Sequence, residues 1–406
     1  MKNKLMIITL MLAVLFLSGC KTDFLPLRHE IDDLQLVQLV GVDISEDGNP
    51  MITIASKRMD DRDDSDQQGN NGGSSGSSER AKGKAQIQTS EGKTVFDAVR
   101  NTRTHGDKVV FWGHTKYYLI GEEAAKESII KYFDFFTRDH ELRIESMIYI
   151  VKGSTAKELI EEINKTEYFI VDKLDSLGKN IKLLSTSEEM KVSDLMRFID
   201  IHHGSARLPC IELVCRDNEE GKTPIGIDIC GYAVIADLKL VGYIGLDISR
   251  GLNLITNNVK SSIVAVKDLL GRDASLEIIE SNTEVIPKFV GDELTDVTVK
   301  TVVQSNLGEI QSLADISEEA SIHYMESQQS EILENEIKQV IDQILKSKSD
   351  CLNICDKIRM RRPLKWRRIE DQWMQIFPKI HYAIQVKSII ERTYEVKEPS
   401  GYQGKE

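Results

Sequence analysis

The sequence has little that could cross a membrane. Its apolar opening run, Leu5 to Leu17, is 13 residues without a charge, whereas a bilayer-spanning helix needs about 20. It lacks a basic excess: 52 Lys and Arg stand against 65 Asp and Glu, a net charge of −13. Nucleic-acid affinity comes mainly from phosphate contacts, so such a chain is a poor nucleic-acid binder. It lacks a cysteine framework. Besides Cys20 there are only Cys210, Cys215, Cys230, Cys351 and Cys355, and an odd number leaves at least one free thiol. Cys210 and Cys215, five apart in a β-like run, point to opposite faces. Cys351 and Cys355 are an i, i+4 pair with no second pair at zinc-ligand spacing. All five are expected to be small buried hydrophobes, with no disulfide framework. The usual catalytic signatures are missing as well. None of the eight histidines forms HExxH, and there is no GxSxG elbow or P-loop. Gly242-Tyr243-Ile244-Gly245 sits in strand context with no phosphate-binding helix after it. Asp32-Asp33 and Glu122-Glu123 are read as solvated faces and helix first turns. No enzyme, metal or cofactor is expected.

What is present begins at the N-terminus. Lys2 and Lys4 precede the short apolar run, which ends in Leu17-Ser18-Gly19-Cys20. That is a secretory signal layout whose cleavage site is a lipobox. A chance cysteine beside an ordinary cleavage site is the alternative. On the lipobox reading, residues 1–19 are a signal peptide and Cys20 becomes a diacylglycerol-modified N-terminus. Cleavage leaves 50 basic against 65 acidic side chains, a net of −15. A chain so acidic is weakly repelled by an anionic membrane, so the two acyl chains have to hold it there.

The chain of 406 residues is long for one core, so two or more domains are expected. Residues 20–200 alternate strands and helices as an N-terminal α/β domain. It starts with a turn and the strand LQLVQLVGVDIS, then MITIASKR. The stretch 60–84, centred on GNNGGSSGSS, is too poor in apolar residues to pack and reads as a flexible loop within this domain. AQIQTSEG and the runs at Val109–Trp112, Lys116–Ile120 and Met147–Val151 read as strands. Helices are expected from Thr94, from Glu122 to Thr137 with Ile129, Ile130, Phe133 and Phe136 on one face, from Thr155, through Tyr168–Leu177 and over Val192–Ile201. Residues 201–395 form a strand-rich C-terminal α+β domain of one or two subdomains. Its strands include a hairpin pairing Tyr232–Ala236 with Leu240–Ile244. A long helix follows, capped by Ser317 and striped by Leu333, Ile337, Val340, Ile341, Ile344 and Leu345. A helix over Trp366–Phe377 and a strand over His381–Ile390 end the fold, and residues 396–406 are a disordered tail. The fold class is α+β and multi-domain: mixed sheets flanked by helices, with a long C-terminal helix packed on a sheet.

Two kinds of residue merit weighing for function. His114, in Gly113-His114-Thr115-Lys116, is read as a turn histidine bonding to backbone, or else as a group with a polar role of its own. His202-His203 suit the end of a helix better than a metal. Seven of the twelve residues from Lys357 to Arg368 are basic: Lys357, Arg359, Arg361, Arg362, Lys365, Arg367 and Arg368. Trp366, Ile369, Trp373 and Phe377 lie at helical spacing, so the aromatics should face the core and the arginines face out. Such a face is either solvated with local ion pairs or a contact for acidic partner loops or anionic lipid heads.

Several segments, in order, resemble one family, the Ger(x)C lipoproteins, which are C subunits of bacterial spore germinant receptors. They are the lipobox cysteine; Arg28-His29-Glu30-Ile31-Asp32-Asp33-Leu34 leading to Gly41-Val42-Asp43; EGKTVFDAVRNT; VVFWGHTKYYLIGEEAAKE with FFTRDHELR; Gly231-Tyr232-Ala233-Val234 with Lys239-Leu240-Val241-Gly242; and KSDCLNICDKIRMRRPLKWRRIEDQW. Lys21-Thr22-Asp23 stands where that family usually has a tryptophan or similar residue. The resemblance implies a lipid-anchored, non-enzymatic subunit on the outer face of the cytoplasmic (spore inner) membrane. Its implied partners are two integral-membrane subunits, A and B, in a complex that answers small nutrients and starts germination. A solute-binding lipoprotein that captures the nutrient itself is the alternative. Such proteins usually have two similar lobes, whereas the halves here differ.

Overall fold

The computed structural model describes residues 33–58, 85–104, 108–138, 143–166, 168–218, 221–311 and 319–393. The signal peptide, Cys20, the loop at 60–84, the cap expected at Ser317 and the tail at 396–406 lie outside the described residues.

A short parallel pair, β1 (Leu34–Leu36) with β5 (Val109–Phe111), lies beside an eight-stranded mixed sheet. The centre of that sheet is parallel: β2 (Leu39–Ile44), β6 (Tyr117–Gly121), β7 (Met147–Val151) and β8 (Ala206–Asn218). β3 (Pro50–Lys57) and β4 (Ala85–Glu91) extend it on one side. β9 (Gly221–Ala236) and β10 (Lys239–Ile244) extend it on the other, all antiparallel. Of these, β2, β6 and β7 are short and apolar on both faces, as LVGVDI and MIYIV are, because helices cover both. Helices Val95–Asn101, Ile129–Arg138 and Val192–Ile201 pack Val99, Phe133, Phe136 and Leu195 on one face. Helices Ala156–Asn164 and Ile170–Leu184 pack Leu159, Ile160 and Leu174 on the other. The sheet runs across position 200 and ends at Ile244.

Local signals are obeyed at several element ends. Thr94 accepts from Asp97 N at 3.1 Å and Thr155 from Glu158 N at 3.0 Å, so both expected caps form. The expected β9–β10 hairpin turns over Asp237 and Leu238, both at positive φ. The single helix expected over Glu122–Thr137 is instead two, Glu122–Glu127 and Ile129–Arg138. Ser128 is extended, and Ile129 N bonds Leu238 O in that hairpin turn at 2.9 Å. A partner distant in sequence takes an amide that the helix would otherwise use.

The Gly41-Val42-Asp43 run also has a packing reason. A Cβ on Gly41 would lie 2.9 Å from Ile160 and 3.1 Å from Ala156, so glycine lets the helix Ala156–Asn164 approach the sheet. Asp43, buried, then accepts from Ala156 N at 2.8 Å and Lys157 N at 2.9 Å, closing that helix's N-terminus. Burial pushes its pKa up to about 6 from 3.8, against those hydrogen bonds. The folded pKa exceeds the unfolded one. Asp43 therefore favours folding fully below pH 4, and that contribution is lost as pH rises through about 6. Urea melts between pH 4 and 8 should show the wild type losing stability relative to Asp43→Asn across this window. The expected size is up to about 3 kcal/mol; parallel profiles would show that Asp43 titrates normally.

The second sheet has four strands, β11 (Ser262–Lys267), β12 (Asp273–Val290), β13 (Glu293–Ile310) and β14 (His381–Thr393), in that order. β12 and β13 make a long hairpin, and β14 returns parallel to β13. The long helix, Glu319–Ser347, buries Leu333, Ile337, Val340, Ile341 and Ile344 as its stripe demands. It also covers the sheet's edge: Ser330 Oγ accepts from Ser388 N at 3.0 Å, and Glu326 from Ile390 N at 2.8 Å. Helix Leu246–Ile255 crosses it at Gly251, where a Cβ would lie 2.7 Å from the Glu336 carbonyl, and Arg250 grips Glu336 through two nitrogens.

Two expectations need correction here. Cys210 and Cys230 are not independent buried hydrophobes but a disulfide, joining β8 and β9 with Cα atoms 5.4 Å apart. The register slips beside them, between Pro209 and Ile211, with Gly231 at φ 94°. Which residues face each other is therefore set by a bulge that spacing alone does not reveal. Cys351 and Cys355 are free and buried as expected, and Cys215 is free and partly exposed. Burial pushes the Cys351 thiol up to about 12. The other correction concerns Trp366–Phe377, which is not one helix. Helix Pro363–Ile369 is followed by 3₁₀ turns and the short helix Trp373–Ile376. Residues seven apart on a straight helix lie about 10 Å apart along its axis. The turn brings the Trp366 and Trp373 rings to 5.2 Å in one core.

Candidate functional site

The basic segment is held by a buried elbow just before it. Asp350 is buried; its Oδ1 accepts from Ile354 N at 2.9 Å, and its Oδ2 from Cys355 N at 2.8 Å and Trp373 Nε1 at 3.0 Å. One carboxylate thereby closes the N-terminus of helix Ile354–Arg361 and ties down the turn that follows. Burial raises its pKa to about 6. The elbow also meets the large sheet. Ser349 Oγ donates to Ile235 O at 2.5 Å, and Arg207 Nη1 donates to Cys351 O at 2.8 Å. Arg207 Nε lies 2.7 Å from Glu188 Oε1, and this ion pair is nearly sealed, at 7% and 15% side-chain exposure. Sequence reasoning singled out none of Asp350, Arg207 and Glu188. A search for a cap one residue before the helix lands on Asn353, which has a left-handed backbone and makes no side-chain cap bond.

From the elbow the segment runs along the outer half of the β12–β13 hairpin. Trp366, Ile369, Trp373 and Phe377 are buried, and Arg359, Arg361, Arg362, Arg367 and Arg368 are exposed, so the two faces separate as the spacing predicts. The lysines differ. Lys357 is half-buried and donates to Ile255 O at 2.5 Å, at the end of helix Leu246–Ile255. Burial, then the charge of Arg207, lowers its pKa to about 8. Lys365 reaches Gly291 O at 2.5 Å and covers the Phe289 ring at 5.0 Å. Arg359 pairs with Asp356, Arg361 with Glu284 at 3.6 Å, and Arg368 with Asp292. Beside Arg368 a groove of about 710 Å³ opens between the β12–β13 turn and residues 369–380, with Asp292, Glu293 and Lys379 on its walls.

The other candidates lie apart from this face. His114 is exposed in the turn between β5 and β6, its ring 5.7 Å from that of Phe111. The side chain that bonds the turn's backbone is Thr115, through Oγ1 to Trp112 O at 2.8 Å. His202 is buried at the end of helix Val192–Ile201, with Nδ1 2.8 Å from Phe198 O, and burial lowers its pKa. His203 and Gly204, both at positive φ, end that helix. Among the described residues no helix is long and apolar enough to cross a membrane, and no three His, Cys, Asp or Glu side chains cluster to hold a metal.

Fold and site together define, among the described residues, a mixed α+β protein of two large sheets and a short parallel pair, with a cationic segment clamped onto the four-stranded sheet. Residues 28–213 match the family model described as spore germination protein N-terminal domain, and residues 230–394 match spore germination B3/GerAC like, C-terminal. The chain belongs to the Ger(x)C family of spore germination proteins. It is 26% identical to spore germination protein B3 of Bacillus subtilis (strain 168) over 76% of this chain and 81% of that one. It is 21% identical to spore germination protein KC of the same organism over 99% and 98%. The crystal structure of the GerBC protein shares the fold, with TM-score 0.55 and 19% identity, over 86% of this chain and 96% of that one.

Proposed function

We propose that this protein is the lipid-anchored, non-enzymatic C subunit of a spore germinant receptor, acting with integral-membrane A and B subunits in nutrient-triggered germination. The observation that carries the reading is the run of two spore germination family models, one after the other, from residue 28 to residue 394. The lipobox supports a diacylglycerol anchor at Cys20, which places the body on the outer face of the cytoplasmic (spore inner) membrane. The buried polar groups also fit a scaffold. Asp43 and Asp350 close helix ends, and Arg207, paired with Glu188, ties the large sheet to the Cys351 carbonyl, so each has a packing task. The exposed arginines between 359 and 368 are the surface offered to a partner or to the membrane.

A Cys20→Ala strain tests the anchor. Its spores should lose most of their nutrient response through this receptor, while the protein leaves the membrane fraction. Undiminished germination with the protein released would sink the anchored-subunit reading.

A further inference from the structure

Between buried Ile358 and buried Trp366 the chain turns a corner in which six consecutive residues, Arg359 to Leu364, are exposed. The helix Ile354–Arg361 stops there because Arg362 leaves helical geometry (φ −139°, ψ 62°) ahead of Pro363, whose ring restricts the residue before it. Met360 and Leu364 project at 71% and 74% exposure, more than any other large apolar side chain among the described residues. Arg359, Arg361 and Arg362 flank them, and no acidic residue occurs from Lys357 to Arg368. The pairs that Arg359 makes with Asp356 and Arg361 with Glu284 are open to water, and exposed pairs of this kind are readily exchanged.

We infer that this corner docks on an anionic phospholipid surface. Met360 and Leu364 enter the headgroup layer, and the three arginines pair with lipid phosphates, which suit the planar guanidinium fork. A fluid headgroup layer accepts a projecting wedge without a matching pocket. In an acidic chain of net −13 this is the face such a surface attracts, while most of the body is repelled. The inference rests on the proposed anchoring at Cys20. The chain from Cys20 to Asp33 can span at most about 45 Å; an anchor at its far end limits distance from the membrane, and a second contact fixes which way the body faces.

The chain from position 20 onward, carrying Cys20→Ser so that no acyl group binds, is sedimented with phosphatidylcholine vesicles with or without 30 mol% phosphatidylglycerol (about a third of the lipid, enough to set a surface potential). At least a tenfold preference for the anionic vesicles is expected, weakening with salt. R361Q/R362Q should cut binding roughly 25-fold, at about fivefold per charge. M360S/L364S should cut it about fivefold or more with the salt dependence kept. Thermal melts matching the parent show that both variants fold. Equal binding to both vesicle types, no binding, or variants that bind like the parent would overturn the inference. So would a photo-crosslinker at position 364 of the anchored protein that labels an acidic loop of a membrane protein rather than lipid. Failure here beside a Cys20→Ala strain that loses germination would remove the corner's role and leave the proposed function standing.

Discussion

Asp350→Ala is expected to lower the unfolding free energy by about 3 kcal/mol and to release the basic segment from the core. Three donors lose their acceptor at once: Ile354 N, Cys355 N and Trp373 Nε1. A buried donor left without a partner costs about 1–3 kcal/mol. The loss is offset in part because an ionised carboxylate no longer has to be buried. Two of the three tryptophans, Trp366 and Trp373, lie on this segment, so their emission should move to longer wavelength in the variant under native conditions. The pH dependence carries a sign. Burial raises the Asp350 pKa to about 6 from 3.8, so its contribution is complete below pH 4 and declines as pH rises through 6. The gap between wild type and Asp350→Ala should therefore be wider at pH 4.5 than at pH 7.5 (pH values about a unit and a half to either side of the raised pKa). A variant with unchanged stability and emission would mean that the clamp does not hold the segment.

The second large effect is expected where the large sheet meets the elbow around Cys351. Arg207→Ala strands Glu188 in a nearly sealed site and leaves the Cys351 carbonyl without its donor. Breaking a buried pair by removing one partner costs about 3–5 kcal/mol, because the remaining charge is uncompensated. Replacing both groups by apolar residues of similar volume should cost much less, since burying two charges is itself expensive. Arg207→Met with Glu188→Leu is therefore expected to melt well above Arg207→Ala. Chemical denaturation of the two variants, measured side by side, decides it. If the double variant is the less stable, the pair contributes by geometry rather than by charge neutralisation.

These two sites also mark where the sequence stops being legible. The caps at Thr94 and Thr155, the stripe of the long helix and the alternation of β12 and β13 follow from periods of 3.6 and 2, which a few neighbouring residues display. The separation of Trp366 and Ile369 from the exposed Arg367 and Arg368 follows in the same way, whereas Trp373 and Phe377 reach that core through a turn. The family was legible too, because it rests on ordered motifs such as Gly41-Val42-Asp43 and the tryptophan-rich basic run, and the matches to both family models agree with it. Asp350 was not legible. It acts from four residues before its helix and on a tryptophan 23 positions away. The disulfide partner of Cys210 depends on a slipped register 20 residues on. The helix break at Ser128 depends on a carbonyl at Leu238.

By itself, the sequence determined the acidic balance, the type of most elements and the family. Each of these is written in composition or in residues close together along the chain. Only the tertiary structure decided that Cys210 meets Cys230, that Arg207 of the large sheet holds the Cys351 carbonyl, and that Lys357 turns inward while Met360 and Leu364 stand out beside arginines. These are contacts between residues far apart in the chain. Packing selects them only when every buried polar group must find a partner at the same time.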